Sequence, residues 1–169
     1  MSSLSASGVE DAPGGLDFIV MTPPGSPDPA LAIAASRAGA IGVLDLQFAA
    51  DGADVFGAIQ SLARHSRGRC GIKIGSCAPA QLDHVLSELP ARVSIVILSP
   101  TDPRHVEDCI RGLRARNLTV LLEAISESEA RLAEQAGLDG VIAKGNESGG
   151  RVGEETTFVL LQRLLGTTV

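Results

Sequence analysis

The sequence predicts an α/β fold in which a strand and a helix alternate six times in a barrel-like repeat. Short apolar runs are followed by helical patterns at intervals of roughly 20 to 30 residues along the chain. The predicted strands are apolar throughout, as is typical of parallel strands that are covered on both faces. Because a helix follows every strand, the sheet is expected to be parallel, with right-handed crossovers.

Two architectures are compatible with such a repeat, an open doubly wound sheet and a closed TIM-type (β/α)₈ barrel. A doubly wound sheet usually carries its glycine-rich loop after the first strand. Here the first loop is rich in proline and the glycines follow the sixth strand, which favours the barrel. Six of eight β–α units make an incomplete, TIM-barrel-like fold. Such a chain is either a fragment or a barrel without two strands, forming an open or partner-completed sheet.

The first three units are delimited by proline and glycine. After an apolar run at 18–21, Asp28 is a suitable N-cap and Pro29 is favoured at the first helical position. This helix is expected to end before Gly39, because glycine suits the left-handed conformation that closes many helices. The next elements are predicted at 41–46 (strand), 54–65 (helix), 71–74 (strand) and 79–89 (helix).

The last three units carry similar signals. Asp102 before Pro103 repeats the cap-then-proline pattern, and Ser126 with Glu129 forms a capping-box pattern. The predicted elements are strands at 93–98, 118–122 and 138–143, and helices at 103–117, 127–136 and 156–165.

Composition and charge indicate one acidic domain with an aliphatic core. The 169 residues carry a net charge of −6 without a basic cluster, so nucleic acid and anionic membranes are not expected partners. Residues 1–15 are expected to be a disordered leader, and residues 16–169 the partial barrel. The three cysteines lack metal-ligand spacing, so no metal site is expected, and they are typical of reduced thiols in a cytoplasmic protein.

The most informative stretch follows the sixth strand and reads A-K-G-N-E-S-G-G-R-V-G-E-E (143–155). A strand, a glycine-rich loop and a helix N-terminus together are typical of phosphate sites, because unpaired N–H groups point outward there. The two acidic residues at its end suit a first helical turn. A flexible glycine loop without a ligand is the alternative.

Polar residues stand at the carboxyl ends of the predicted strands, where both architectures place their chemistry. Lys73 interrupts an apolar strand, which is costly unless the charge is paired. Asp45 and Glu123 are candidate partners for Lys73 or Lys144. These residues are interpreted either as salt bridges in a barrel mouth or as a polar lining for a ligand, and the two roles are compatible.

Three segments resemble the nitronate monooxygenase (2-nitropropane dioxygenase) family of FMN-dependent barrels. Residues 143–153 resemble its Q-G-x-E-A-G-G-H-x-G signature, and residues 29–42 resemble its P-x-L-A-x-A-V-S-x-A-G-G-x-G segment. Residues 123–141 are similar to the family's fifth strand, following helix and sixth strand. In order and spacing the resemblance covers residues 16–165.

The resemblance implies an FMN site at the strand ends. Lys73 stands where the family usually has Asn, and Lys144 stands where it has Gln. Arg151 occupies the position of the family's proposed proton-abstracting His, and a guanidinium cannot serve as a general base near neutral pH. The residues implied to bind the cofactor are Met21, Lys73, Glu123, Lys144, Gly145, Gly149 and Gly150.

Two functions are therefore expected. One is an FMN-dependent oxidoreductase barrel with a small-molecule substrate, catalytically impaired as the chain stands. FMN binding should be poor or absent, because the family's remaining phosphate loops follow strands seven and eight, which are not among the six strands predicted here. The other is a non-catalytic scaffold or docking domain, because residues 144–165 resemble a variant at the N-terminus of modular polyketide synthases. The protein partners expected are further synthase domains or a second copy of the chain.

Overall fold

The computed structural model describes residues 16–49 and 53–166, which form one six-stranded parallel sheet with helices between the strands. The predicted leader at 1–15 lies outside the described residues. The strands are β1 (Ile19–Met21), β2 (Ile41–Asp45), β3 (Cys70–Gly75), β4 (Ile95–Ser99), β5 (Thr119–Ala124) and β6 (Gly140–Ala143). The helices are α1 (Ala30–Arg37), α2 (Ala53–His65), α3 (Pro79–Ser87), α4 (Val106–Arg114), α5 (Glu127–Gln135) and α6 (Thr157–Gly166).

The strands are ordered β1 to β6 across the sheet, so each strand pairs with the next strand along the chain. This order is that of a barrel rather than of a doubly wound sheet, whose strand order reverses at a switch point. The sheet curls, because Met21 of β1 and Ile142 of β6 pack against the same apolar cluster. The described residues therefore form an incomplete TIM-barrel-like α/β fold, as the sequence predicts.

Two apolar layers hold the sheet. The larger lies between the sheet and the helices and includes Leu44, Ile72, Leu98 and Leu122, all fully buried. The smaller lies on the concave face and is built around Ile41, Val43, Ile95 and Ile97. Since successive residues of a strand point to opposite faces, each strand supplies both layers, which accounts for its continuously apolar sequence.

Two strands begin two residues later than predicted, because a turn or a helix cap uses the residues before them. β4 begins at Ile95 rather than at residue 93, because the Val93 amide closes a turn onto the Pro90 carbonyl (2.9 Å). β6 begins at Gly140, because the Leu138 amide still caps α5 through Ala133 (2.9 Å).

The predicted caps form in part. The Asp102 carboxylate accepts from the Arg104 amide (3.0 Å), but a 3₁₀ turn, Pro103–His105, precedes α4. The Ser126 hydroxyl accepts from the Glu129 amide (3.4 Å), as a capping box requires, whereas the Glu129 carboxylate accepts from Ile125 rather than from Ser126.

Within the described residues, no helix is both long and apolar enough to cross a membrane.

Gly42 sets the distance between α1 and β2. A Cβ atom on Gly42 would lie 1.9 Å from the Ala32 carbonyl oxygen, far inside contact distance. The missing side chain therefore allows the helix backbone to rest directly on the strand.

We predict that Gly42→Ala lowers the free energy of unfolding by about 1–3 kcal/mol or more, because the backbone of α1 must move away from the sheet. Gly57→Ala is the matched control, since Gly57 lies in α2 with open space around its Cβ position. The control should be neutral or stabilising by about 0.5–1 kcal/mol. Urea unfolding measures both, and equal midpoints for the two variants would contradict the close packing.

Candidate functional site

Four charged side chains form a row at the carboxyl ends of the strands. Asp45 ends β2, Lys73 lies in β3, Glu123 lies in β5, and Lys144 directly follows β6. Asp45, Glu123 and Lys144 each lie two positions after a concave-face residue of their own strand, namely Val43, Leu121 and Ile142. Lys73 lies two positions after Gly71, which pairs with the concave-face residue Ile95 of β4. All four therefore point to the inside of the curl.

The row alternates in sign. Lys73 Nζ lies 3.1 Å from Asp45 Oδ2 and 3.1 Å from Glu123 Oε1. The contact with Glu123 is an ion pair whose angles do not meet those of a hydrogen bond. Lys144 Nζ lies 3.4 Å from Glu123 Oε2. The side chains are between 1% and 8% exposed, so two positive and two negative charges neutralise each other away from water. The predicted pairing of Lys73 and Lys144 with Asp45 and Glu123 is confirmed.

Asp45 is also held by its neighbours. Its Oδ1 accepts from the Gln47 amide (2.9 Å), and its own amide donates to the Thr22 hydroxyl (2.9 Å). These bonds join the ends of β1 and β2 to the charged row.

A cavity of about 380 Å³ lies on this row, between the first and last strands. Its lining residues are Met21, Thr22, Pro24, Asp45, Gln47, Lys73, Ile142, Ala143, Lys144, Ser148, Gly149 and Gly150. Gln47 Nε2 is buried and has no hydrogen-bond partner within the described part of the chain. A Cβ atom on Gly149 would meet nothing within 4 Å. The cavity thus has an open backbone wall at Gly149, whereas the Gln47 donor has almost no accessible surface.

A larger cleft, of about 480 Å³, lies on the outside between α5 and α6. Four of its lining residues are glutamates, and none of its lining residues belongs to a strand or to the charged row. The cavity on the charged row is therefore the better candidate site.

The residues predicted for the cofactor fall into two groups. Five of them line the cavity: Met21, Lys73, Lys144, Gly149 and Gly150. Glu123 lies beneath the two lysines, and Gly145 packs against the start of α6, where its Cβ would be 2.0 Å from the Thr157 amide nitrogen. Lining residues that the sequence did not single out are Pro24, Ile142, Ala143 and Ser148. Ser148 could have been predicted from the sequence, because it directly precedes the glycine pair.

The loop after β6 satisfies its own polar groups. Lys144 Nζ donates to the Gly149 carbonyl (2.7 Å), and the Asn146 amide donates to the Glu155 carbonyl (2.7 Å). The Glu147 carboxylate accepts from the Thr157 amide (2.9 Å) at the first residue of α6. Glu154 and Glu155 precede this helix, so the expectation that they occupy its first turn is wrong.

These contacts change the interpretation of the loop. A carboxylate already occupies the N-terminus of α6, and hydrogen bonds from its own backbone amide and from Thr157 lower the pKa of Glu147. The helix end is therefore capped by the chain itself and does not form the anion site that the glycine pattern indicates.

Arg151 points away from the cavity. Its guanidinium forms a two-pronged ion pair with Glu129 of α5, one contact being 3.0 Å, and Arg151 does not line the cavity. Arg151 therefore holds the glycine loop against α5.

We predict that Glu123→Gln destabilises the protein by about 3–5 kcal/mol, because Lys144 then loses its carboxylate partner in the row and Lys73 keeps only that of Asp45. Glu127→Gln is the control, since Glu127 pairs with Arg131 on the half-exposed surface of α5 and should cost less than about 1 kcal/mol. Urea unfolding compares the two variants. Equal losses would show that the row contributes no more than a surface pair.

A second prediction concerns the cap of α6. Because the folded pKa of Glu147 is lowered, its stabilisation is complete above the ordinary glutamate pKa of about 4.3 and is lost as the pH falls through the folded pKa. Amide exchange should show Thr157 losing protection at acid pH, and Glu147→Gln should weaken that protection at pH 7. Glu154→Gln should leave it unchanged, and a pH-independent Thr157 would contradict the cap.

Comparison with known proteins agrees with this architecture. No family model matches the chain. The nitronate monooxygenase of Pseudomonas aeruginosa is 43% identical over 75 residues, which are 44% of this chain and 20% of that protein. The structure of FabK from Thermotoga maritima matches with a TM-score of 0.71 at 30% identity, over 90% of this chain and 48% of FabK.

A point mutant of the same FabK matches with a TM-score of 0.73 at 31% identity, over 90% of this chain and 50% of that one. The chain thus spans about half the length of these solved structures and a fifth of the curated relative. The shared strand–helix order and the sequence identity together confirm the resemblance to the nitronate monooxygenase family and the TIM-barrel-like architecture.

Proposed function

We propose that this chain supplies the ring-binding side of a flavin site in an oxidoreductase barrel of nitronate monooxygenase type. The observation that carries the proposal is the cavity on the charged row, with the glycine pair Gly149–Gly150 as one wall and Lys73 and Lys144 at its base. The flavin would supply the redox chemistry, and the residues of this chain would bind and orient its ring.

The cavity suits a flat heteroaromatic ring. Its volume of about 380 Å³ lies within the usual range of ligand sites, roughly 300–1,000 Å³. Gly149 leaves open space beside the backbone, so a planar group can approach it closely. The two lysines add positive charge at the base of the cavity. These features support the binding of the flavin ring.

The phosphate of FMN does not find a matching site among the described residues. The N-terminus of α6, the natural candidate after β6, is capped by Glu147 and flanked by Glu154 and Glu155. A phosphate placed there would meet three carboxylates. Its contacts must come from other residues, so this chain should bind FMN weakly and without preference over riboflavin.

Catalytic impairment is part of the proposal. Arg151 replaces the family's His and is engaged by Glu129 outside the cavity. Among the cavity-lining residues the one carboxylate is Asp45, and its oxygens already hold Lys73 and the Gln47 amide. Proton abstraction from a small-molecule substrate would therefore require a group from another part of the protein.

The alternative is a non-catalytic scaffold or docking domain of a polyketide synthase. Two observations favour it: the resemblance of residues 144–165 to the barrel variant of such synthases, and the structural use of Arg151. Exposed apolar side chains at both ends of the sheet would then contact further domains or a second copy. They include Leu16 and Phe18 beside β1, and Phe158, Leu161 and Leu165 of α6.

Flavin titration of the purified chain tests the proposal. We expect riboflavin and FMN to bind with similar, weak affinities, measured by the quenching of flavin fluorescence. Gly149→Leu fills open space in the cavity wall without strain on the backbone, and should weaken both ligands at least about tenfold, or about 1.4 kcal/mol. Gly57→Ala on α2 is the matched control and should leave both affinities unchanged.

The outcomes separate the two functions. A chain that binds neither flavin, while folding normally, would favour the scaffold. A version extended by two further β–α units should be yellow when purified and should prefer FMN to riboflavin, because phosphate contacts are then supplied. A colourless, well-folded extended protein would reject the flavin enzyme.

A further inference from the structure

A pair of cysteines lies outside the cavity on the charged row. Cys77 follows β3 in the loop before α3, and Cys109 lies in the second turn of α4. They are 32 residues apart in sequence, and neither lines the cavity on the charged row.

Ser76 brings the two segments together. Its hydroxyl donates to the Asp102 carbonyl (2.8 Å) and accepts from the Asp102 amide (2.6 Å). The Ser76 amide also donates to the Ser99 carbonyl (3.0 Å) at the end of β4. This reciprocal pairing fixes the loop after β3 against the segment that leads into α4.

The sulfur of Cys109 rests on the backbone of Cys77. It accepts from the Cys77 amide at 3.3 Å, and its thiol donates to the Cys77 carbonyl at 3.2 Å. Because one sulfur touches both backbone groups of Cys77, it lies within reach of that residue's side chain. A disulfide then requires a rotation of side chains rather than a movement of α4.

The two thiols differ in reactivity and access. A hydrogen bond from the Cys77 side chain lowers the pKa of Cys109 to about 7, although burial acts in the opposite direction. The Cys77 amide and His105 lower that pKa further, and Asp108 raises it. The lowered pKa makes the Cys109 thiol easier to convert to the thiolate, the nucleophilic form, than an ordinary thiol.

Cys77 is the accessible partner. It is half-buried and lines a cleft of about 220 Å³ together with Gln47, Ser76 and Thr101, whereas Cys109 is fully buried behind it. A small oxidant thus reaches Cys77 first, while the Cys109 sulfur rests against the backbone of that residue.

We propose that Cys77 and Cys109 form a reversible oxidation site, in which peroxide converts the pair to a disulfide that joins the β3–α3 loop to α4. The proposal does not depend on the flavin function. Cys70, the first residue of β3, is excluded from the pair because it is fully buried against the Arg92 carbonyl (3.6 Å) and its pKa is raised by burial.

The reaction balances with hydrogen peroxide as the oxidant. The Cys77 sulfur takes one peroxide oxygen, the O–O bond breaks, and the released hydroxide leaves as water with the thiol proton. The Cys109 thiolate then attacks the Cys77 sulfenic acid, and an S–S bond replaces the S–O bond. The second hydroxide leaves as water with the proton lost from Cys109, and two electrons pass from the thiols to the peroxide.

Disulfide mapping of the full chain tests the site. The reduced protein is treated with a few equivalents of hydrogen peroxide, its free thiols are blocked with N-ethylmaleimide, and it is digested with trypsin. The three cysteines fall in separate peptides, 70–73, 74–92 and 105–111. We expect peptide 74–92 linked to 105–111, peptide 70–73 blocked, and separation by dithiothreitol. The oxidised protein should also have a higher Tm, because the link closes a long loop.

Two variants sharpen the result. Cys70→Ser is the matched control and should retain the link. Cys109→Ser removes the resolving thiol, so Cys77 should instead be oxidised to sulfinic acid, which dithiothreitol does not reverse. The wild-type mapping decides the question even where a variant fails to fold. Irreversible oxidation of Cys77 beside a blocked Cys109, or a link that involves Cys70, would overturn the proposal.

Discussion

The buried row of alternating charges is the constraint on which the sheet depends. Asp45, Lys73, Glu123 and Lys144 are stable away from water only while each keeps an opposite charge beside it. Three of them belong to different strands, and the fourth directly follows another. A slip of one residue in any strand would turn its charge into the apolar layer beneath the helices. The row therefore selects one register and one curl of the sheet.

The same row couples the core to the candidate site. Below it, the concave face is filled by Ile41, Val43, Ile95 and Ile97, which exclude water from the base of the charges. Above it lies the cavity, whose walls come from the first and last strands. A ligand in the cavity would thus rest on two lysines and two carboxylates whose charges sum to zero. Such a surface favours a polar, planar group over a bare anion.

The loop after β6 decides what chemistry is left to the chain. Three of its charged side chains are bound to partners within the loop or on the flanking helices: Lys144 to Gly149, Glu147 to Thr157 of α6, and Arg151 to Glu129 of α5. A loop closed in this way has few free groups for phosphate or for proton transfer. What remains open is the glycine wall at Gly149. This division is why we separate ring binding from catalysis.

Much of the fold was predictable because its signals are local. Apolar runs, proline and glycine positions and the caps at Asp102 and Ser126 act within a few residues, and the six strand–helix units follow from them. The pairing of Lys73 with Asp45 and Glu123 was also predictable, since the carboxyl ends of parallel strands meet at one edge of the sheet.

The sequence by itself thus determined the repeat, the barrel-like order of its strands and the charges that meet at their ends. Only the tertiary structure decided which glycines face the cavity, as Gly149 and Gly150 do, and which one, Gly145, packs against α6. It also decided that Arg151 turns outward and that Cys77 meets Cys109. The contacts of Arg151 and Cys77 join residues 22 and 32 positions apart, whose relative positions are set only when the helices pack on the sheet.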